Sequence, residues 1–126
     1  MDKKEIQAAL ALIVVAIILG AFGAHGLKPK LDTDQLNSYH TGVNYQLWNG
    51  IVLLLIATTG NKITWSKLGT VLIWLGVGLF SGSIYCIIFS QIQGFTFPKF
   101  FYLLTPIGGT SIITGYLVQI FKVKIN

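Results

Sequence analysis

Residues Ile6–Ala24 read IQAALALIVVAIILGAFGA, nineteen positions without an Asp, Glu, Lys or Arg. At about 1.5 Å of rise per residue, a helix of that length reaches roughly 28 Å, close to the thickness of a bilayer's hydrocarbon core. Met1-Asp2-Lys3-Lys4 before it, and Ala21, Gly23 and Ala24 near its end, imitate a secretory leader. A leader's apolar core is only about 7–15 residues long, however, so the stretch is expected to stay in the membrane as a first span. Three further runs lack the same four residue types: Val43–Gly60, Leu68–Phe89 and Phe101–Phe121. Transmembrane strands would need only about ten residues of alternating polarity, whereas these runs are continuously apolar. The sequence predicts an all-α fold: one domain, residues 1–126, forming an integral membrane four-helix transmembrane bundle. Its spans are expected near 6–24, 43–60, 68–89 and 101–121.

The composition says the same. Hydrophobic residues make up 53% of the chain and charged ones 10%, with a mean hydropathy of +0.70. Soluble domains carry about 25% charged residues, and a chain this small cannot hide so much apolar surface in its own interior. A free cytosolic enzyme, a disordered tail and a disulfide scaffold are thereby excluded. The net charge of +5 comes from lysines alone, set singly or in pairs between apolar runs. Nucleic-acid binding asks for a clustered basic face, usually with arginine, so no nucleic-acid partner is expected. The single Cys86 permits no internal disulfide.

Lysine placement sets the orientation. With four spans, Lys3, Lys4, Lys62, Lys67, Lys122 and Lys124 share one face, and Lys28, Lys30 and Lys99 lie on the other. The positive-inside rule then puts both termini in the cytoplasm, for a multi-pass membrane protein. The connection over residues 26–42 opens with Leu27-Lys28-Pro29-Lys30, a helix breaker, and continues with Asp32 or Thr33 as a helix cap. Leu36, Tyr39, Val43 and Leu47 then recur at helical spacing, which predicts an outer amphipathic segment that joins the second span or bends into it. Phe95, Phe97, Phe100, Phe101 and Tyr102 around Pro98 are expected to form an interfacial belt, with Trp65 beside Lys62 and Lys67 on the inner side.

Polar residues of the spans fall toward the outer leaflet in this topology. His25, Gln46, Asn49, Ser83, Tyr85 and Thr105 form the candidate cluster, with Gln46 and Asn49 on one helical stripe. Amides facing lipid are costly, so the stripe should look into the bundle. It serves either interhelical hydrogen bonding or a hydrated pocket for a small solute. Glycines mark close helix packing: Gly20 and Gly23, continued by Gly26; the GxxxG pair Gly78 and Gly82; and Gly108 and Gly109, with Gly115 beyond them. Pro106 removes a backbone donor, so a kink is expected in the fourth helix, with local unwinding at Gly108-Gly109.

No ionisable side chain other than tyrosine and cysteine lies in the four runs, which argues against an ion-driven pump. The first and third spans share glycine content but no repeat, so an inverted-repeat transporter is not supported. There is no phosphate loop, HExxH, CxxC or nucleophile elbow. His25 and His40 lack the further ligands a metal site needs. The expectation is no enzyme, no metal and no cofactor.

Four ordered motifs carry a family likeness. They are Gly20-Ala21-Phe22-Gly23-Ala24-His25-Gly26-Leu27, Thr41-Gly42-Val43-Asn44-Tyr45-Gln46, Phe80-Ser81-Gly82-Ser83-Ile84-Tyr85 and Thr105-Pro106-Ile107-Gly108-Gly109. Together the chain resembles the uncharacterised four-span membrane proteins grouped as domain of unknown function 423. The resemblance implies a plasma-membrane protein without an established activity. The family pattern has a histidine three residues after the Tyr-Gln pair, where this chain has Asn49, which removes that imidazole from any metal role. The functional expectation is a polytopic membrane protein, bound to the lipid bilayer and homo-oligomeric, whose polar cluster serves packing or small-solute binding. A channel for a neutral or cationic solute and a scaffold subunit of a membrane complex are the alternatives.

Overall fold

Asp2, Asp32 and Ser66 each set a side-chain oxygen over a free backbone N–H, and a helix begins after each of them. In the computed structural model, which describes residues 2–126, these helices are α1 (Lys3–Ala24), α2 (Thr33–Thr58) and α3 (Lys67–Gln93), followed by α4 (Leu104–Lys122). Asp2 accepts from the Lys4 N–H at 2.9 Å and Ser66 from the Gly69 N–H at 3.3 Å. Asp32 makes a reciprocal cap: its side chain accepts from the Gln35 N–H at 2.8 Å, while the Gln35 side chain accepts from the Asp32 N–H at 3.0 Å. Gly94, at φ +83°, closes α3 in the left-handed conformation that glycine adopts without strain.

The amphipathic segment and the second span are one continuous helix of 26 residues, about 39 Å long. The Asp32 cap nucleates it ten residues ahead of the apolar run, and nothing between Thr33 and Val43 interrupts the turns. Three segments are long and apolar enough to cross a membrane, Lys3–Ala24, Lys67–Gln93 and Lys99–Lys122. α2 is long enough but not among them, because Asn37, Asn44, Gln46 and Asn49 lower its hydropathy. The expected kink at Pro106 does not form. Chain irregularity falls earlier, in a 3₁₀ turn over Lys99–Leu103. Pro106 occupies the first turn of α4, where a missing N–H costs nothing, and the helix runs unbroken through Gly108 and Gly109.

The helices run up, down, up and down, each packed antiparallel on the next in chain order, most extensively α3 on α4. One end of the bundle, here the distal end, carries the α1–α2 and α3–α4 connections. The proximal end carries both termini and the α2–α3 connection. There, two-residue strands β1 (Ile63–Thr64) and β2 (Lys124–Ile125) pair antiparallel, Ile63 opposite Ile125 and Thr64 opposite Lys124. This small pairing was not legible in the sequence. It ties the C-terminal residues to the α2–α3 connection, helped by Thr64 Oγ1 bonding Asn126 Oδ1 at 2.7 Å.

Two apolar clusters form the interior. Ala9, Leu53, Ile56, Ile73, Val77 and Ile112 gather in the proximal part, and Tyr39, Val43, Ile84 and Ile88 in the distal part. Between them lies a layer of buried polar side chains, Gln46, Asn49 and Ser81.

Candidate functional site

The polar layer is built from α2 outward. Gln46 and Asn49, 3% and 5% exposed, are three residues apart and so share a helix face. The Gln46 amide donates to the Leu12 carbonyl of α1 at 2.9 Å, and its oxygen accepts from the Tyr85 hydroxyl of α3 at 2.7 Å. One side chain therefore bridges three helices. Asn49 donates to the Tyr45 carbonyl at 2.8 Å and accepts from the Tyr116 hydroxyl of α4 at 2.5 Å. Ser81 donates to the Gly42 carbonyl at 2.7 Å. Gly42 is what lets α3 come that close, since a methyl there would lie 3.2 Å from Ile84 and 3.3 Å from Tyr85.

Ser83 and Thr105 meet across α3 and α4 with hydroxyl oxygens 2.5 Å apart. The Ser83 hydroxyl also lies 3.0 Å from the Phe80 carbonyl, and a Ser83 proton donated there leaves Thr105 as the donor of the pair. Tyr39 donates to the Leu19 carbonyl of α1. Among the described residues no buried side-chain nitrogen or oxygen lacks a partner. The candidate residues thus fall into separate pairs, Gln46 with Tyr85, Asn49 with Tyr116, and Ser83 with Thr105. His25 joins none of them; it caps the exposed end of α1.

Sequence reasoning left Tyr116, Ser111 and Gln119 out of the polar set. Ser111 donates to the Leu72 carbonyl at 2.7 Å. Gln119 clamps the start of α3: its oxygen accepts from the Ser66 N–H at 2.9 Å, and its amide donates to the Ser66 carbonyl at 3.0 Å and Thr70 Oγ1 at 3.1 Å. A buried glutamine near a span end satisfies helix-terminal groups that would otherwise stay unpaired. That was the available signal.

The glycines divide by what a methyl would meet. At Gly108 it would strike backbone atoms of Phe80, Leu79 and Gly76, and at Gly115 the Gly69 carbonyl at 2.8 Å. Gly76 in turn would meet the Gly108 carbonyl at 2.7 Å, and Gly69 the Gly115 carbonyl at 3.0 Å. Gly69 and Gly76 on α3 therefore face Gly115 and Gly108 on α4, backbone against backbone. Both pairs are seven residues apart, two turns on one face, a spacing that marks the interface in hindsight. Gly23 lies under the Tyr39 ring, while Gly20 and Gly109 make ordinary contacts with Val43 and Phe80. The GxxxG pair Gly78 and Gly82 does not pack within this chain, because nothing lies within 4 Å of a methyl at either position. At about 100° per residue these two sit roughly opposite the Gly69–Gly76 face, which α4 already occupies.

Chemically, the layer contains amides and hydroxyls without a carboxylate or an ammonium group. Among the described residues no three His, Cys, Asp or Glu side chains gather as metal ligands.

Comparison with known proteins agrees with a membrane protein. The family described as "Protein of unknown function (DUF423)" matches residues 19–109. A UPF0382 membrane protein of Staphylococcus haemolyticus is 36% identical over 113 residues, covering 86% of this chain and 85% of the relative. The UPF0382 membrane protein YwdK of Bacillus subtilis is 34% identical, covering 83% of each chain. The UPF0382 inner membrane protein YgdD of Escherichia coli K12 is 31% identical, covering 84% of this chain and 78% of the relative. No solved structure matches. The chain belongs to the DUF423 family and is a four-helix membrane protein of a family without an established activity.

Proposed function

We propose that this member of the family is a non-enzymatic plasma-membrane protein that works as a homo-oligomer joined along α3, its intramembrane polar residues serving helix packing. All four helices cross the membrane in this reading, α2 among them because its buried amides, Gln46 and Asn49, are turned onto α1, α3 and α4. The lysine distribution favours both termini in the cytoplasm. The relatives' names describe membrane proteins and state no reaction.

The observation that carries the reading is the division of α3 into two glycine faces. One is filled by α4. The other presents Gly78 and Gly82 with open space, flanked by Leu75 and Phe89, each 56% exposed. In lipid, where apolar surface alone does not drive association, such small-residue faces let helices approach closely. Cys86 is exposed, four residues beyond Gly82 on the same stripe. It is thus a native reporter. Oxidative crosslinking in membrane vesicles is expected to give a Cys86-linked dimer that Gly78→Leu with Gly82→Leu removes, with Cys86→Ser as the blank. A monodisperse monomer in lipid nanodiscs, with no crosslink at any protein density, overturns the oligomer.

A further inference from the structure

We propose that the cleft between the distal ends of α2 and α3 and the start of α4 is a binding site for an organic cation with an apolar body. The site stands apart from the α3 oligomer face and does not rest on it. Its volume is about 480 Å³, within the range of roughly 300–1,000 Å³ usual for small-molecule sites. The floor is apolar, made by Phe80, Ile84 and Ile88. Asp34, Ser38, Gln91 and Tyr102 supply polar groups to its walls.

Several lining groups elsewhere in the cleft are already engaged. The Thr41 hydroxyl donates to the Asn37 carbonyl at 3.0 Å, Thr105 is held by Ser83, and the Gln35 amide donates to the Gln91 oxygen at 3.1 Å. Among the described residues, the Asp34 carboxylate and the Ser38 and Tyr102 hydroxyls make no hydrogen bond within the chain, so they are open to a ligand. The sole formal charge in the lining is that of Asp34; no lysine contributes to it. An anion would find no counter-charge here, and the Gln35 N–H at the start of α2 is already taken by the Asp32 side chain. A cation gains the Asp34 carboxylate beside the Tyr102 ring of the lining, while its apolar part covers Phe80, Ile84 and Ile88. An alkylammonium ion fits that description. The same chemistry is offered by a free hydrophobic amine or by the ammonium of a lipid headgroup.

The test uses the full chain in micelles of an uncharged maltoside detergent, titrated calorimetrically with n-hexylammonium, 1-heptanol and hexanoate. Hexylammonium is expected to bind saturably and at least about tenfold more tightly than the uncharged and anionic probes. Asp34→Asn should erase that preference, and since Asp34 is exposed and caps nothing, helicity serves as the check that the variant folds. Ser38→Trp, a second exposed position in the lining, should abolish binding of all probes by filling the cleft. Displacement of hexylammonium by added phosphatidylethanolamine assigns the site to lipid ammonium groups; indifference to that lipid assigns it to free amines. Equal affinity for hexylammonium and heptanol, an unchanged preference in Asp34→Asn, or no saturable binding overturns the proposal.

Discussion

The two hairpins of the bundle are held together by different kinds of atom. Between α1 and α2 the contacts are made by side chains: the Tyr39 ring lies over Gly23, the Gln46 amide reaches the Leu12 carbonyl at 2.9 Å, and Ile13 approaches Gly50. Between α3 and α4 the backbones themselves touch, through Gly69 with Gly115 and Gly76 with Gly108. A side chain can rotate away from an intruding methyl, whereas a backbone can only move with its whole helix. The α1–α2 hairpin should therefore yield to substitution and the α3–α4 hairpin should not.

The largest effect is expected at Gly108. Gly108→Leu must push α4 off α3, and a loss of at least about 3 kcal/mol in reversible unfolding is expected from overpacking with no side chain able to give way. Gly23→Ala puts a methyl 2.6 Å from the Tyr39 ring, which can tilt at the expense of its bond to Leu19; a loss of about 1–2 kcal/mol is expected by the same measurement. If Gly23→Ala costs as much as Gly108→Leu, the contrast between the hairpins fails. Gln46→Leu leaves the Tyr85 hydroxyl without its acceptor and frees the Leu12 carbonyl, for which about 1 kcal/mol is expected. Gly82→Ala meets open space, so monomer stability should stay within about 0.5 kcal/mol. Its consequence should appear instead in Cys86 crosslinking, which sharpens the comparison by separating contacts within the chain from contacts between copies.

Much of the architecture was legible because lipid is a demanding solvent. Uncharged runs of span length located the helices, and a cap at Asp32 or Thr33 was readable from residue type alone. The start of α2 was not, since a cap ten residues ahead of an apolar run is compatible with either a bend or a continuous helix. Pro106 shows the limit of a local rule: proline breaks a helix only past its first turn, and the sequence does not reveal where α4 starts. Gln46 and Asn49 were recognisable as inward-facing from their shared stripe, but their partners were not, and His25 of the candidate set lies exposed. Asn49 lies 67 positions from Tyr116, and a tyrosine in an apolar run gives no sign of where its hydroxyl will be received. At Gly78 and Gly82 the four-residue spacing stood out more than the seven-residue spacing that joins α3 to α4, and no contact within the chain fills that face.

The commitment of buried polar groups to one another underlies the whole account, and a double-mutant cycle on Asn49 and Tyr116 tests it most directly. Asn49→Leu, Tyr116→Phe and the double variant would be compared by reversible unfolding in lipid–detergent micelles. Paired groups predict a coupling of about 1 kcal/mol between the two substitutions. Strictly additive losses would mean that the amide and the hydroxyl serve something other than each other, and would contradict the reading of this layer as packing.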